Sequence, residues 1–252
     1  MKTLLRPLAV IAAASAIFCS LQATDQPVAP AAPRYVPCKI STQARGVFPL
    51  RLLLDGITHG EAHLVLEVGT DGQLADTLLT AYTHREFADE ALRVVNESRY
   101  TPGAVDGQPV ISILNLQLRF ETTGVVAYQR FGVPSRLTGV LDDNFEYRPH
   151  GLSTIDRTPA ARHLPGPIYP KAWIAQGRTG KVTVDFYIDE TGQARMPVAL
   201  GTPDELLAAA AVAAVKQWRF EPPLRRSKPV LAHAQQIFVF QPEPRAAPPP
   251  DA

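Results

Sequence analysis

The sequence predicts an α+β chain of two tandem small domains, each a three-stranded antiparallel sheet with helices on one face, in the order α-β-β-α-β. Three observations carry that expectation. A long segment repeats at a constant offset of 120 residues with no gap. Each repeat alternates apolar and polar residues at period two and then switches to a helical stripe. The composition, 46% hydrophobic and 19% charged over 252 residues, is that of a globular chain rather than a disordered one.

The repeat sets Gly60–Phe120 over Gly180–Phe240. Gly60, Gly72, Gln73, Ala88, Ala91, Val95, Arg99, Pro102, Pro109, Val110 and Phe120 coincide with Gly180, Gly192, Gln193, Ala208, Ala211, Val215, Arg219, Pro222, Pro229, Val230 and Phe240. The coincidences fall at turns, helix-face positions and strand ends, where structure constrains residue type. Ahead of each repeat, Phe48-Pro49 and Tyr169-Pro170 predict a short helix ending near Gly56 or Gly177.

The first strand places Val182, Val184, Phe186 and Ile188 on one face and Thr183, Asp185 and Tyr187 on the other, the pattern of a half-buried strand. Ala62, Leu64, Leu66 and Val68 do the same in the first copy. A polar turn, Gly69–Gly72 or Asp189–Gly192, leads to a second strand near Leu74–Thr80 or Ala194–Leu200. Thr202-Pro203-Asp204-Glu205 reads as a capping box with Pro at the first helical position, and Thr83 with Glu86 as its equivalent. The helix stripes are Leu207, Ala211, Val215, Trp218 and Phe87, Ala91, Val95, Ser98. Pro222-Pro223 and Pro102-Gly103 stop the helices, and last strands follow near Val230–Phe240 and Val110–Phe120. That last strand is a sheet edge unless something pairs with it.

The domain expectation is therefore a signal segment over 1–23, a Pro-rich linker over 24–45, domains over 46–121 and 166–241, a linker over 122–165 and a disordered Pro/Ala tail over 242–252. Within the second linker, Val125–Phe131 and Val140–Tyr147 are strand-like, while Asp142-Asp143-Asn144 and several prolines favour irregular structure. At the N-terminus, Lys2 and Arg6 precede the uncharged Pro7–Ala23, with Ser20-Leu21-Gln22-Ala23 at a cleavage position. This predicts a cleaved secretory signal; the alternative is an uncleaved membrane anchor. Phe18 argues against lipidation at Cys19. Without Lys2 and Arg6 the chain keeps 23 basic and 24 acidic residues, net −1, and Cys38 stands alone.

Charge excludes one function class. A net charge of +1 with no Lys/Arg run does not suit a general nucleic-acid binder. Enzyme constellations are also weak. His59 and His63 are four apart with Glu61 between them, but a zinc-protease helix needs Glu directly after the first His, and this segment enters a strand. Both histidines are expected to face solvent. His84, His150, His163 and His233 are scattered, and Asp142-Asp143 reads as an acidic turn. Trp218 is expected in the core. No catalytic residue, metal site, cofactor or small-molecule substrate is predicted.

From Tyr169 to Phe240 the sequence resembles the TonB C-terminal domain. The resemblance rests on Tyr169-Pro170, Gly177 and Gly180, the alternating Val182–Ile188, Asp189–Gly192, Ala210-Ala211, the block Trp218-Arg219-Phe220-Glu221-Pro222 and the closing Phe238-Val239-Phe240. The first copy looks like a diverged version, with Arg99-Tyr100-Thr101-Pro102 kept and Ser98 at the Trp position. The resemblance implies a non-catalytic periplasmic interaction module that binds a partner segment by strand addition, the partner being an outer-membrane transporter or another envelope protein. On that reading the binding residues are the last-strand positions Ala232, His233, Ala234, Gln235, Gln236, Ile237 and Phe238. Two alternatives remain: a membrane-anchored energy transducer, although Pro7–Ala23 lacks the family's His, and a structural protein that self-associates edge to edge.

Overall fold

The computed structural model describes residues 34–130, 144–169, 171–177, 179–201 and 204–241. The signal and anchor readings, Cys19, Asp142-Asp143 and the C-terminal tail lie outside the described residues. In chain order the elements are β1 Tyr35–Val36, β2 Lys39–Thr42, α1 Leu50–Leu54, β3 His59–Val68, β4 Leu74–Tyr82, α2 Arg85–Glu97, β5 Arg99–Thr101, β6 Gly103–Val105, β7 Gln108–Val110, β8 Ser112–Glu121 and β9 Gly124–Arg130. Then come β10 His150–Gly151, a 3-10 turn Leu152–Thr154, β11 Ala161–His163, α3 Lys171–Ala175, β12 Gly180–Ile188, β13 Ala194–Leu200, α4 Glu205–Val215, β14 Arg219–Phe220, β15 Leu224–Arg225, β16 Lys228–Pro229 and β17 Ala232–Phe240.

Two main sheets organise these elements, in the orders β4-β3-β8-β9 and β10-β17-β12-β13. The α+β class and the central three strands of each sheet agree with the pattern read from the sequence. Each sheet, however, has four strands rather than three. The fourth comes in both cases from the segment between the repeats. β9 folds back on β8 in antiparallel register from Glu121↔Gly124 to Asn115↔Arg130. β10 lies parallel to β17, with His150↔Ala232 and Gly151↔His233. The physical reason is that a last strand exposes a row of unpaired backbone groups, which a neighbouring stretch of chain can satisfy.

Each sheet buries its first-strand apolar face against its helices. In the N-terminal half Ala62, Leu64, Leu66 and Val68 meet Phe87, Ala91, Val94 and Val95 of α2, with Leu52 of α1. In the C-terminal half Val182, Val184, Phe186 and Ile188 meet Leu207, Ala211, Val215 and Trp218. The coincident glycines have structural duties. A Cβ at Gly60 would collide with Phe87, and one at Gly180 with Leu207, so glycine lets each helix approach the first strand. Gly72 and Gly192 take φ of +79° and +86° in their turns, a conformation other L residues rarely adopt.

The capping expectation is corrected in both halves. α4 starts at Glu205, and its N-cap is Asp204, whose carboxylate accepts from the Leu207 N–H at 3.0 Å. The N-cap of α2 is His84, with no side-chain cap, because the Thr83 hydroxyl is engaged with Glu61 across to β3. The half-buried reading of the first strands is also corrected. Val65 and Tyr187, on the faces turned away from the helices, are buried in a third cluster with Leu78, Met196 and Leu231. The two halves therefore share a core, and from Arg34 onward the chain is one compact unit. Polar ties reinforce this join. Arg195 donates through Nε to Asp76 at 3.1 Å and through Nη1 to Asp189 at 3.3 Å, and Lys216 pairs with Glu67 at 2.8 Å. The Tyr147 hydroxyl meets Glu190.

Candidate functional site

The site begins with β17 and what lies on either side of it. On one side β12 pairs with it along its whole length, from Gly180↔Phe240 to Ile188↔Ala232. On the other side, β10 covers only Ala232 and His233. From Ala234 to Phe240 no strand flanks that side among the described residues. An open edge of this kind offers backbone N–H and C=O groups to an incoming extended chain.

Alternation sorts the side chains of β17. Ala232, Ala234 and Phe240 are buried toward the helices, and Phe238 packs on Trp218 with ring centroids 5.5 Å apart. On the opposite face, His233 Nε2 lies 2.8 Å from Asp185 Oδ1, and the Gln235 amide donates to the same oxygen at 2.8 Å. Asp185 is only 1% exposed, so these two residues are what make its burial tolerable. Further along that face, Ile237 (47%) and Val239 (61%) stand in solvent beside the open edge. The Gln236 amide reaches back to the Ile237 carbonyl at 2.8 Å.

The seven residues expected from the sequence thus divide. Ala232 and His233 lie under β10, whereas Ala234 to Phe238 lie on the open stretch, which continues through Val239 and Phe240. The buried Asp185 and the occupying β10 gave no sequence signal, because both depend on residues brought together from distant positions.

β10 belongs to a strap that is firmly docked. The His150 N–H donates to the Leu231 carbonyl at 2.9 Å, and the Asp156 N–H to that of Leu224 at 2.7 Å. The Asp156 carboxylate accepts from the Arg226 and Ser227 N–H groups, both at 2.8 Å, which holds its pKa below the ordinary range. β11 pairs with β14, and Trp218 Nε1 donates to the Pro165 carbonyl at 3.0 Å. Trp218 is buried, as its place on the helix stripe predicts. At the matching position of the N-terminal half, the Ser98 hydroxyl donates to the Val94 carbonyl and accepts from the Ala44 N–H.

A second candidate lies at the far end of the first sheet. It is an open groove of about 1070 Å³, with His59, Glu61, His84, Arg119 and Glu121 among its walls. His59 is exposed, but His63 is 4% exposed and edge-on to Phe145, which corrects the solvent-facing expectation. Phe145, from the segment between the repeats, closes over it. The His63 ring holds the Glu61 carboxyl below its usual range; burial opposes this, and the Gln117 amide adds to the lowering. Among the described residues, no cluster of three or more His, Cys, Asp or Glu could hold a metal ion. Cys38 is buried and unpaired, and burial pushes its thiol pKa up, away from a reactive thiolate. No helix among the described residues is long and apolar enough to cross a membrane.

The arrangement is a small α+β domain whose last strand, among the described residues, has a partly unpaired backbone edge. Residues 165–242 match the family model described as Gram-negative bacterial TonB protein C-terminal. A solution NMR structure of the Pseudomonas aeruginosa TonB CTD is 29% identical, covering 38% of this chain and 95% of that chain, with a TM-score of 0.33. No match was found among curated proteins. Residues 165–242 are thus similar to the TonB C-terminal domain. That family consists of non-catalytic interaction modules of the cell envelope, which contact outer-membrane transporters and envelope proteins.

Proposed function

We propose that the chain is a periplasmic, non-catalytic adaptor whose C-terminal half captures an extended segment of an envelope partner as an added strand along Ala234–Phe240. The single observation that carries this reading is the flank of β17, covered at Ala232–His233 and, among the described residues, open beyond. The added strand would satisfy the backbone groups of the edge and lay apolar side chains beside Ile237 and Val239, which gives both affinity and selectivity. The partner we favour is the periplasmic segment of an outer-membrane transporter, with export by the 1–23 segment as the route. On this reading the N-terminal half is a diverged duplicate that serves as scaffold.

The experiment is a titration of the purified protein with a synthetic peptide from a transporter's periplasmic segment. Binding is expected, and Ile237→Lys with Val239→Lys should weaken it roughly tenfold or more by removing apolar contact beside the edge. Gln236→Pro alters the backbone of the same edge. If these variants stay folded and bind the peptide as the original does, the β17 assignment fails.

A further inference from the structure

An open strand edge invites pairing with another chain, and proteins guard such edges with charge, proline, bulges or covering segments. The four outer edges of the two main sheets are treated differently. β13 carries Pro197, a register shift against β12 and the positive φ of Met196. β4 is bridged at its end by Tyr147, and Arg195 reaches Asp76 and the Thr77 carbonyl. β17 is covered at its start by β10.

β9 has no proline, no register shift and, among the described residues, no covering strand, and its single charge, Arg130, sits at its last position. Its register with β8 is unbroken, and among the described residues no other backbone hydrogen bond reaches it. On its helix side the Gln129 amide donates to the Cys38 carbonyl at 2.9 Å and Gly46 packs on Val125. On the other face Val126 (50%) and Tyr128 (44%) are exposed, with Arg119 stacked 5.4 Å from the Tyr128 ring centre.

We propose that β9 is an interface with a second copy of this chain, two β9 strands pairing antiparallel about a two-fold axis at Ala127. The strand is self-complementary in this register. Val126 falls opposite the partner's Tyr128, and Tyr128 opposite the partner's Val126. These are two β-branched–aromatic pairs on one face, a favourable cross-strand combination. Val125 falls opposite the partner's Gln129 on the other face, and from 125 to 129 no like charges meet. Pairing would join the two four-stranded sheets into a continuous eight-stranded sheet. It leaves both β17 edges outside the interface, so the assembly is bivalent, and a partner array would be held by avidity. One short strand pair buries less than the ~1,200 Å² of stable complexes, so the dimer is reversible.

Sedimentation velocity on the full chain, from about 1 µM to about 1 mM, tests this. The mass should rise with concentration from 27.4 kDa toward twice that value. Val126→Lys should raise the dissociation constant roughly tenfold or more, because the two-fold brings one lysine from each copy into the interface. Ile237→Lys, on the other edge, should leave it unchanged. In the unaltered chain, amide exchange at 124–130 should slow as concentration rises, a readout that depends on no variant. The proposal is overturned by a chain that stays monomeric throughout. It is equally overturned by a dimer that survives in folded Val126→Lys, by one lost in Ile237→Lys, or by concentration-dependent protection that spares 124–130.

Discussion

β8 and β17 hold the same place in their two sheets, each paired along its length with the first strand of its half. Their outer flanks differ. β8 is covered from Asn115 to Glu121 by the hairpin strand β9, while among the described residues β17 is covered only at Ala232 and His233. One half has completed its edge with its own chain, and in the other a stretch has no flanking strand among the described residues. Strand addition needs an unpaired edge, so the proposed binding falls on the C-terminal half, and the outer edge of the N-terminal half moves onto β9.

The comparison extends into the cores, and the largest expected effect lies there. Trp218→Ala in the C-terminal half should cost about 3–5 kcal/mol, whereas Ser98→Ala at the matching position should cost only about 1 kcal/mol. Denaturant melts of both variants check this. Because the halves share the Val65, Leu78, Tyr187, Met196 and Leu231 cluster, the chain should unfold in one transition followed equally by Trp fluorescence and far-ultraviolet dichroism. Two separated transitions would break the shared-core reading.

A smaller effect attaches to Asp185. The matching residue in the N-terminal half is Val65, also buried, so the same register position holds a valine in one sheet and a carboxylate in the other. Asp185→Ala leaves His233 and Gln235 without their common acceptor and should cost about 1–3 kcal/mol. Thermal melts, with faster amide exchange in β17, are the check.

The join between halves should respond to acid. Asp189 is pushed up by burial, but hydrogen bonds from Thr191, Gln193 and Arg195 more than offset this and hold its pKa below the ordinary value. A depressed carboxylate contributes stability that is present above its unfolded pKa, near 4, and is lost as pH falls through the lower folded value. The midpoint of denaturation should therefore decline below about pH 4, and decline less in Asp189→Asn. The smallest effect is expected for Arg195→Ala. It removes partly exposed ion pairs to Asp76 and Asp189 and should cost roughly 1 kcal/mol or less.

Much of this was legible in the sequence. The period-two runs at Val182–Ile188 and Ala62–Val68, the glycines at 60, 72, 180 and 192 and the Trp218 stripe specified strands, turns and helix faces correctly, because each is a local signal. What escaped was set by chain brought from elsewhere. His63 is hidden by Phe145, Tyr187 is buried by the opposite half, and Ala232 is covered by His150. β9 was visible as the strand-like run Val125–Phe131, but its pairing with β8 was not. Thr83 showed the limit of motif reading: its hydroxyl crosses to β3 instead of capping α2.

Amide hydrogen exchange on the full chain, with and without a transporter's periplasmic peptide, tests the central contrast most directly. The account predicts that residues 115–121 of β8 are protected in both conditions, while residues 234–240 of β17 exchange faster when free and slow on peptide addition. Peptide protection that appears along β8 or β9, or that leaves 234–240 unchanged while the peptide is bound, would contradict it.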